Sequence, residues 1–452
     1  MPKRFFIALF FVFGVEGFAD EHRPNILVLI ADDWSWPHAG ALGDPVVKTP
    51  TFDRLVAEGV LFEKAFTPAP SCTPSRHAIA SGQEHWRLGE GVNLGGSIGK
   101  DVPVYPDLLA GAGYVTGFSR KGTAPSKHQF RGSDPFGPKF KNFAEFIRQR
   151  PDGQPFCFWY GAGEPHRPYD LGGGKKAGID PKKIRVPSFL PDNETVRSDL
   201  ADYYLRIERF DRDAGEILNQ LEKRGELDKT LVILTSDNGM PFPRCKATLT
   251  DCGTRVPLVI RFGSGGRKIS KGLVSLVDLA PTILEAAGLP IPKEMTGKSL
   301  LPVLRGTADR APRSHVLTGM ERHVYANPSR AIRTSEFLYI RNFSPKTWPT
   351  GRVHPGPQPV FDFDQTPWPI VPGAFSYNID PGPTKQWMLQ NAPDHVAFSV
   401  RPLEELYELK SDPDQTGNRV KDPALRKVRD RLSRLLTTEL HASGDPRFQK
   451  YE

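Results

Sequence analysis

The sequence has few cysteines and, beyond residue 19, no long apolar run. Four cysteines in 452 residues are too few for a disulfide-rich scaffold. The lack of a long apolar run excludes a transmembrane helix in that part of the chain. Lysine and arginine blocks interleaved with aromatic residues are absent, as are nucleic-acid-binding motifs, so we do not expect DNA or RNA binding. No internal repeat is found, which excludes a repeat architecture.

The composition is that of a large globular protein with many loops. Its 452 residues exceed one ordinary domain, so we expect a large domain and a smaller one. Hydrophobic residues make up 38% of the chain, which permits a sizeable core, and the 44 prolines and 42 glycines indicate loops. The formal net charge of +8 is compatible with a polyanionic partner, although basic runs are usually solvated surface.

Residues 1–19 have the features of a signal peptide. Lys3 and Arg4 precede an apolar run over residues 5–15, and Gly17-Phe18-Ala19 resembles a small-residue cleavage site. A membrane anchor is the alternative, but the run is too short to span a bilayer comfortably. We therefore predict a secreted or periplasmic protein with no membrane span after signal cleavage.

Apolar runs alternate with helical patterns over the first two thirds of the chain. This alternation is typical of a sheet covered by helices, so it predicts an α/β fold, which we assign to residues 20–310. The predicted strands are Asn25–Ala31, Tyr114–Phe118, Phe156–Tyr160, Leu231–Ser236 and Val256–Phe262, and the predicted helices are Pro50–Glu58, Ser198–Lys223 and Val277–Ala287.

The chain changes character after residue 310. Strand-like pieces at 335–340 and 406–409 lie among proline-rich loops, notably residues 345–385, and a helix is predicted over 423–441. We expect residues 311–452 to form a smaller α+β domain packed on the first.

Polar residues directly follow two of the predicted strands. Asp32 and Asp33 follow the strand that ends at Ala31, and Asp237 and Asn238 follow the one that ends at residue 236. Ligands of open α/β sheets bind beyond the carboxyl ends of the strands. Carboxylate and amide oxygens suit calcium better than zinc. Singly, each could be a turn residue, but the two acidic pairs together predict a metal site.

The segment Ser71-Cys72-Thr73-Pro74-Ser75-Arg76 predicts a helix N-terminus beside a cysteine. Pro74 suits the first turn of a helix. A helix from Pro74 to Ala80 would point its N-terminal amides at an anion near Cys72. A lone cysteine is most often only a buried apolar residue. Elsewhere in the chain, Cys245 and Cys252 could pair across a short loop, but spacing does not determine the geometry of a disulfide.

Together these segments resemble the type I sulfatases of the alkaline phosphatase superfamily. Residues 72–76 (CTPSR) fit the Cys-x-Pro-x-Arg signature of that family, and residues 25–33 look like its opening strand. The next helix (TPTFDRL, 49–55), the second metal-binding segment (TSDNG, 235–239) and the following strand (GTRVP, 253–257) are similar too. The resemblance covers roughly residues 24–305 and weakens after that. The N-sulfoglucosamine sulfohydrolase branch looks closest, through segments 165–167, 237–243 and 276–284.

The resemblance implies an alkaline-phosphatase-like sandwich, with a large central mixed sheet between helices. It implies that calcium is bound by Asp32, Asp33, Asp237, Asn238 and the oxidised form of Cys72. In such enzymes a separate formylglycine-generating enzyme oxidises the signature cysteine to formylglycine. One hydroxyl of its hydrate then attacks sulfur, and the other expels sulfate, which an unmodified cysteine cannot do.

The resemblance also assigns roles to four further residues. Arg76 is expected to hold the formylglycine hydroxyl and support the metal site, while Lys121 and Lys246 contact the sulfate. His166 is expected to contact the leaving group or act as its general acid. The alternatives are surface lysines and a structural histidine.

The chain departs from the family pattern at Thr123, where many members have a histidine that assists the hydrate. Either another histidine substitutes for it, with His85 and His128 as candidates, or this branch works without one.

Substrate selection is expected from the C-terminal domain. In Glu321-Arg322-His323, near the expected domain junction, we single out Arg322 and His323 as substrate-binding residues that could recognise a uronate or a sulfated neighbour. The alternative is an ordinary exposed loop. Trp86 and Arg87 are further candidates for a sugar-stacking edge.

The expected function is therefore removal of sulfate from a sulfated carbohydrate. We expect exo-action on a polysaccharide-derived oligosaccharide that carries N-sulfoglucosamine or an O-sulfated sugar. One alternative is phosphate or phosphonate monoester hydrolysis on the same fold. Another is a non-catalytic glycan-binding protein, if Cys72 is never modified.

Overall fold

The computed structural model describes residues 23–324, 326–343, 378–392 and 402–449. The predicted signal peptide and most of the proline-rich tract at 345–385 lie outside these ranges. Among the helices in these ranges, none combines the length and the apolar character that crossing a bilayer requires.

Strands and helices alternate along the first 290 residues, and four strands and four α-helices follow in the rest of the described chain. The strands are β1 (Asn25–Ala31), β2 (Val60–Phe66), β3 (Val115–Arg120), β4 (Lys139–Phe140), β5 (Phe156–Gly161), β6 (Thr230–Ser236), β7 (Arg255–Val256), β8 (Leu258–Arg261), β9 (Lys268–Ser275), β10 (His315–Arg322), β11 (Ala326–Thr334), β12 (Phe337–Asn342) and β13 (Glu404–Glu408). The α-helices are α1 (Pro50–Glu58), α2 (Cys72–Ser81), α3 (Tyr105–Gly111), α4 (Phe143–Gln149), α5 (Gly173–Lys176), α6 (Glu194–Lys223), α7 (Asp251–Thr254), α8 (Leu279–Ala286), α9 (Leu301–Leu304), α10 (Pro383–Asn391), α11 (Arg426–Ala442) and α12 (Pro446–Gln449).

A nine-stranded mixed sheet forms the centre of the larger part of the molecule. Its strand order is β4-β3-β5-β1-β6-β8-β2-β7, with β9 also paired to β2. β1 lies between β5 and β6 and runs parallel to both, whereas β8 runs antiparallel to β6 and β2. This confirms the predicted α/β class with a mixed central sheet.

Two hydrophobic cores cover the two faces of this sheet. Alternate residues of a strand point to opposite faces, and β1 shows this directly. Leu27 and Leu29 join the core that contains α1, α4 and α6. Ile26, Val28 and Ile30 join the core that contains α2, α3 and α8. Because β1 is buried on both faces, its sequence is a continuous apolar run.

A separate four-stranded antiparallel sheet has the order β10-β11-β12-β13. One of its faces packs on α11 through Leu432, Leu436 and Leu440. The other face packs on a loop of the larger part, through Ala247 and Leu249. The second sheet is therefore covered on both faces and is joined to the loop that carries Lys246.

The predicted elements differ from the structure mainly at their ends. β1 and α1 have the predicted bounds. α6 begins at Glu194, four residues earlier than predicted, because the side chain of Asn193 accepts a hydrogen bond from the Val196 amide and caps the helix. The strand predicted over 256–262 is divided into β7 and β8 at Pro257, which has no amide hydrogen to donate.

Candidate active site

The carboxyl ends of β1 and β6 bring four polar residues together at one edge of the sheet. The two strands are parallel neighbours, so the residues that follow them are adjacent. One carboxylate oxygen from each of Asp32, Asp33 and Asp237 lies within 4.8 Å of the others, and all three residues are buried. The Asp33 amide donates to Asp237 Oδ1 at 3.1 Å, and Asn238 Nδ2 donates to Asp33 Oδ1 at 2.7 Å.

These four residues fit a calcium ion. Three buried carboxylates this close repel one another unless positive charge balances them. Within the described residues, Asn238 Oδ1 is buried without a hydrogen-bond partner, which leaves a hard oxygen donor for a cation. Asp33 has a φ of 79°, a left-handed backbone that non-glycine residues rarely adopt. The fold thus holds this carboxylate in place against a local conformational cost.

Each of the three aspartates pairs with a cationic side chain. Arg76 Nε donates to Asp237 Oδ2 at 2.7 Å. Lys121 Nζ lies 2.5 Å from Asp32 Oδ2, and Lys246 Nζ lies 2.8 Å from Asp33 Oδ2. The structure therefore gathers at one place the arginine and both lysines that the resemblance selected.

These charges shift the pKa values of the aspartates in opposite directions. Burial opposes ionisation of Asp32, but Lys121 and Arg76 hold the pKa of its carboxyl well below the usual value. For Asp237, burial outweighs the attraction of Arg76 and raises the pKa to about 6. Additional positive charge nearby would therefore favour the ionised form of Asp237.

Cys72 is the first residue of α2 and borders the acidic cluster. Its Sγ donates to Asp32 Oδ1 at 3.2 Å, and its sulfur, an Asp32 oxygen and a His166 nitrogen all lie within 4.8 Å of one another. Burial and the negative charge of Asp32 raise the pKa of the Cys72 thiol well above its usual value. The unmodified side chain therefore stays protonated and is a poor nucleophile.

The first turn of α2 connects the ends of two strands. Ser75 Oγ donates to the Asp237 carbonyl at 2.6 Å. Arg76 Nη1 donates to the backbone carbonyls of Lys121 and Gly122 at 3.0 and 2.9 Å. Because Arg76 also binds Asp237, the spacing of the Cys-x-Pro-x-Arg signature places its arginine between the ends of β3 and β6.

A disulfide bond holds the loop that carries Lys246. Cys245 and Cys252 are bonded in the structure, with an S–S distance of 2.09 Å, which settles the pairing that spacing left open. The Lys246 amide donates to the Met240 carbonyl at 3.0 Å, so the loop folds back on the segment after β6.

His166 presents one ring nitrogen to the acidic cluster. Its Nδ1 lies 2.5 Å from the Arg167 carbonyl, and because a carbonyl only accepts, Nδ1 carries the proton. Nε2 lies 3.8 Å from Asp33 Oδ2, and one third of the side chain is exposed. Arg167 is fixed by two hydrogen bonds to the Asp199 carboxylate, at 2.9 and 2.7 Å, which anchors the loop.

Two histidines were candidates to replace the family histidine that is absent at Thr123, and of these His128 lies next to Thr123. His128 Nδ1 lies 3.5 Å from Thr123 Oγ1, and the Thr123 hydroxyl donates to Asp134 Oδ2 at 3.3 Å. His85 is fully buried and packs edge-on against Trp86.

The segment Glu321-Arg322-His323 is buried, so the alternative of an ordinary exposed loop is wrong. His323 Nδ1 lies 2.8 Å from Ser71 Oγ, directly beside Cys72. Burial and the nearby Lys246 lower the pKa of His323 to about 3, which keeps its ring neutral. The Arg322 side chain is buried, and its backbone carbonyl accepts from the Leu94 amide at 3.2 Å.

The prediction of a sugar-stacking edge is wrong for Trp86. The Trp86 side chain is buried, and its indole nitrogen donates to Ser443 Oγ at 3.2 Å. Arg87 donates to the Ser443 carbonyl at 3.0 Å. Both residues bind the chain beyond α11, and a covered indole has no face to offer a sugar.

Asp380 belongs to the site and was not predicted from the sequence. Its Oδ2 lies 3.0 Å from Lys246 Nζ, and one of its oxygens, one from Asp33 and a His166 nitrogen all lie within 4.8 Å of one another. Asp380 lies in the proline-rich tract, 134 residues after Lys246, and no motif there marks it.

Comparison with known proteins gives a family and several relatives. The Sulfatase family profile matches residues 24–136 and 138–289. A second profile, N-sulphoglucosamine sulphohydrolase, C-terminal, matches residues 245–350. N-sulphoglucosamine sulphohydrolase of Homo sapiens is 29% identical, with 91% of this chain and 90% of the relative covered. An ulvan-active sulfatase of Formosa agariphila is 27% identical, with 94% of this chain and 76% of the relative covered.

Solved structures of similar fold include a protein in complex with its substrate, D-glucosamine-2-N,6-O-disulfate. The TM-score is 0.67 at 18% identity, and the match covers 95% of this chain and 100% of the other. This likeness confirms the alkaline-phosphatase-like fold.

Proposed function

Because the chain belongs to the sulfatase family, whose members are sulfuric ester hydrolases, we propose that it is a calcium- and formylglycine-dependent enzyme acting on a sulfated carbohydrate. The substrate would be a polysaccharide-derived oligosaccharide attacked from its end, carrying N-sulfoglucosamine or an O-sulfated sugar. One observation carries the proposal: Cys72 lies against a buried cluster of carboxylates, beside His166. The named activities of the human and Formosa relatives support a carbohydrate sulfate as the substrate.

Asp32, Asp33, Asp237, Asn238 and the modified Cys72 would hold the calcium ion. When bound, calcium supplies a Lewis acid that neutralises the carboxylates and lowers the pKa of a coordinated hydroxyl. The buried, unpaired Asn238 Oδ1 and the raised pKa of Asp237 both favour a cation at this point.

Cys72 would act only after oxidation to formylglycine by a formylglycine-generating enzyme. The protonated, buried thiol is unsuited to attack as it stands. The hydrated aldehyde would offer two hydroxyls at this position, one to attack sulfur and one to expel sulfate. Arg76 would hold the attacking hydroxyl, because its guanidinium lies 3.7 Å from Asp32 Oδ1, the oxygen that Cys72 contacts.

Lys121 and Lys246 would bind the sulfate oxygens. Both ammonium groups pair with carboxylates that we assign to the metal, Asp32 and Asp33. With those carboxylates engaged in holding a metal ion, the lysines would be able to turn their charge to a sulfate and stabilise the negative charge of the transition state. His166, with its proton on Nδ1, presents Nε2 to the leaving group. As general acid it would act in its doubly protonated form.

Arg322 and His323 would bind the carbohydrate beyond the sulfate. His323 is the better supported of the two, because it contacts Ser71 next to Cys72. His128 would replace the missing histidine at Thr123, since it lies beside that residue. We further propose residues 20–310 as the catalytic domain, residues 311–452 as the C-terminal subdomain, and secretion through the signal peptide at residues 1–19.

The test is sulfate release by protein co-expressed with a formylglycine-generating enzyme. The panel would hold N-sulfated and 6-O-sulfated glucosamine ends, galactosamine sulfates, fragments of ulvan, carrageenan and fucoidan, and a phosphonate monoester. Calcium-dependent sulfate release from one class of sugar is the expected result. Hydrolysis of the phosphonate ester alone, or carbohydrate binding without turnover by protein with verified formylglycine, would contradict it.

A further inference from the structure

Asp380 places a carboxylate at the outer side of the candidate sulfate site. Lys246 Nζ lies between two carboxylates, 2.8 Å from Asp33 and 3.0 Å from Asp380. The Asp33 side chain is completely buried, whereas 19% of the Asp380 side chain is exposed. Asp33 is therefore on the buried side of Lys246, and Asp380 is on the side nearer the surface.

The position of Asp380 is fixed relative to His166 by a buried network. Thr384, at the start of α10, donates through its amide and its hydroxyl to Asp199 Oδ2, at 3.1 and 2.6 Å. Asp199 also binds both terminal nitrogens of Arg167, the residue after His166. Lys385 Nζ donates to the Ile379 carbonyl at 2.8 Å, which closes the turn around Asp380. The carboxylate is thus held by the same network that anchors the leaving-group histidine.

A carboxylate in this position is unfavourable for binding sulfate alone. It accepts hydrogen bonds but cannot donate them, and it repels a nearby anion. A site that binds only an anion gains no affinity from a carboxylate at its edge. The part of the substrate that faces Asp380 must therefore be a hydrogen-bond donor without negative charge, and the hydroxyls next to a sulfated ring position are the donors available on a sugar.

We propose that Asp380 is a specificity-determining residue that accepts a hydrogen bond from a sugar hydroxyl adjacent to the scissile sulfate. Because its carboxylate is negatively charged and repels sulfate, Asp380 also excludes sugars that carry a second sulfate at that adjacent position. This inference rests on the proposed sulfatase function and adds the substrate class: sugars with a free hydroxyl next to the sulfate that is removed.

The experiment compares mature wild-type protein with Asp380→Asn, which keeps the size of the side chain and removes its charge. The substrates are matched pairs: each monosulfated sugar of the panel and its analogue with a second sulfate on the neighbouring carbon, such as glucosamine 2-N-sulfate and 2-N,3-O-disulfate. Asp170→Asn is the control, because Asp170 is an exposed carboxylate paired with Arg209. We expect wild type to prefer the monosulfated sugar by about tenfold or more in kcat/KM, Asp380→Asn to lose most of that preference, and the control to keep it.

Two results would overturn the inference. Wild type could turn over both sugars of a pair equally, or Asp380→Asn could slow both by the same factor, as expected if Asp380 only neutralises Lys246. A second measurement does not depend on turnover: calorimetric titration of inorganic sulfate into calcium-loaded protein with unmodified Cys72. Asp380→Asn should bind sulfate severalfold more tightly than wild type, and equal or weaker binding would contradict the proposed repulsion. Absence of turnover with every sugar would instead count against the proposed function.

Discussion

At the scale of single residues, the carboxylates of the candidate site are paired with cationic side chains. Asp237 binds Arg76, Asp33 binds Lys246, and Asp32 binds Lys121 and lies 3.7 Å from Arg76. Two of these partners are lysines, whose long side chains can turn to another anion, whereas Arg76 is also bound to two backbone carbonyls. We therefore expect a metal ion to displace the lysines rather than the arginine.

The first prediction concerns the proposed metal site. Asp237→Asn should weaken calcium binding at least tenfold, because it removes one of the carboxylates that a hard cation prefers. Calorimetric titration of calcium measures this directly. The control is Asp211→Asn: Asp211 is also buried, but it accepts from the amides of Thr51 and Phe52. That variant should lose stability and keep its calcium affinity. Unchanged calcium affinity in Asp237→Asn would remove Asp237 from the metal site.

The second prediction concerns the nucleophile. Cys72→Ala should lower kcat by about a thousandfold or more while the protein stays folded, because no other group would occupy the attacking position. Sulfate release and circular dichroism measure the two effects. Cys157→Ala is the matched control, since Cys157 is the other free cysteine of the described chain and is also buried. It should keep full turnover, and near-normal turnover by Cys72→Ala would refute the mechanism.

At the scale of elements, a cross-linked loop positions Lys246. The disulfide closes a loop with a sequence separation of 7 between Cys245 and Cys252. The same loop packs on the second sheet through Ala247 and Leu249. Its position is therefore set by both sheets and by the covalent bond.

The third prediction follows from this loop. The double variant Cys245→Ala, Cys252→Ala should unfold at lower urea concentration, with a loss of about 2 kcal/mol expected from the small loop that the bond closes. Its KM for the sulfated substrate should rise, because Lys246 would be held less firmly. Cys157→Ala serves again as the control and should keep its KM. An unchanged KM in the double variant would mean that packing on the second sheet holds the loop without the bond.

The ends of elements were predictable where a residue sets them directly. Pro50 and Gly59 mark the ends of α1, and the charged residues after Ala31 end β1. The start of α6 was missed because the Asn193 cap precedes the apolar pattern. The division of the strand at Pro257 could have been predicted, since proline lacks the amide hydrogen that a sheet interior needs.

At the scale of the whole molecule, acid should unfold the protein through its buried histidines. Burial lowers the pKa of His77 and His323 to about 3, and that of His85 well below its usual value. In the unfolded chain these rings bind protons below pH 6.5, whereas in the folded protein they do not. The unfolded state then binds more protons, so stability falls as the pH falls below 6.5.

The fourth prediction concerns how much the free energy of unfolding falls with pH. Each of the three histidines should lower the free energy of unfolding by about 2 kcal/mol between pH 7.5 and pH 5. Urea unfolding at the two pH values, with saturating calcium, measures the difference. His77→Gln should reduce it by about one histidine's share, because the only hydrogen bond of the His77 ring within the described chain is the one to the Gly91 carbonyl. A pH difference that His77→Gln leaves unchanged would contradict the prediction for that ring.

The sequence by itself determined the α/β class, the central strands and the strand-end set of Asp32, Asp33 and Asp237, and the resemblance of residues 72–76 to the family signature added Cys72 and Arg76. These features are local: apolar runs specify buried strands, and polar residues at strand ends meet because neighbouring strands are parallel. The tertiary structure alone added Asp380 to the site, brought the predicted His323 against Ser71 and covered Trp86 with the C-terminal chain. Those contacts join residues 134 to 357 positions apart. They depend on how the second sheet, α10 and α11 pack, and no local pattern in the sequence encodes that packing.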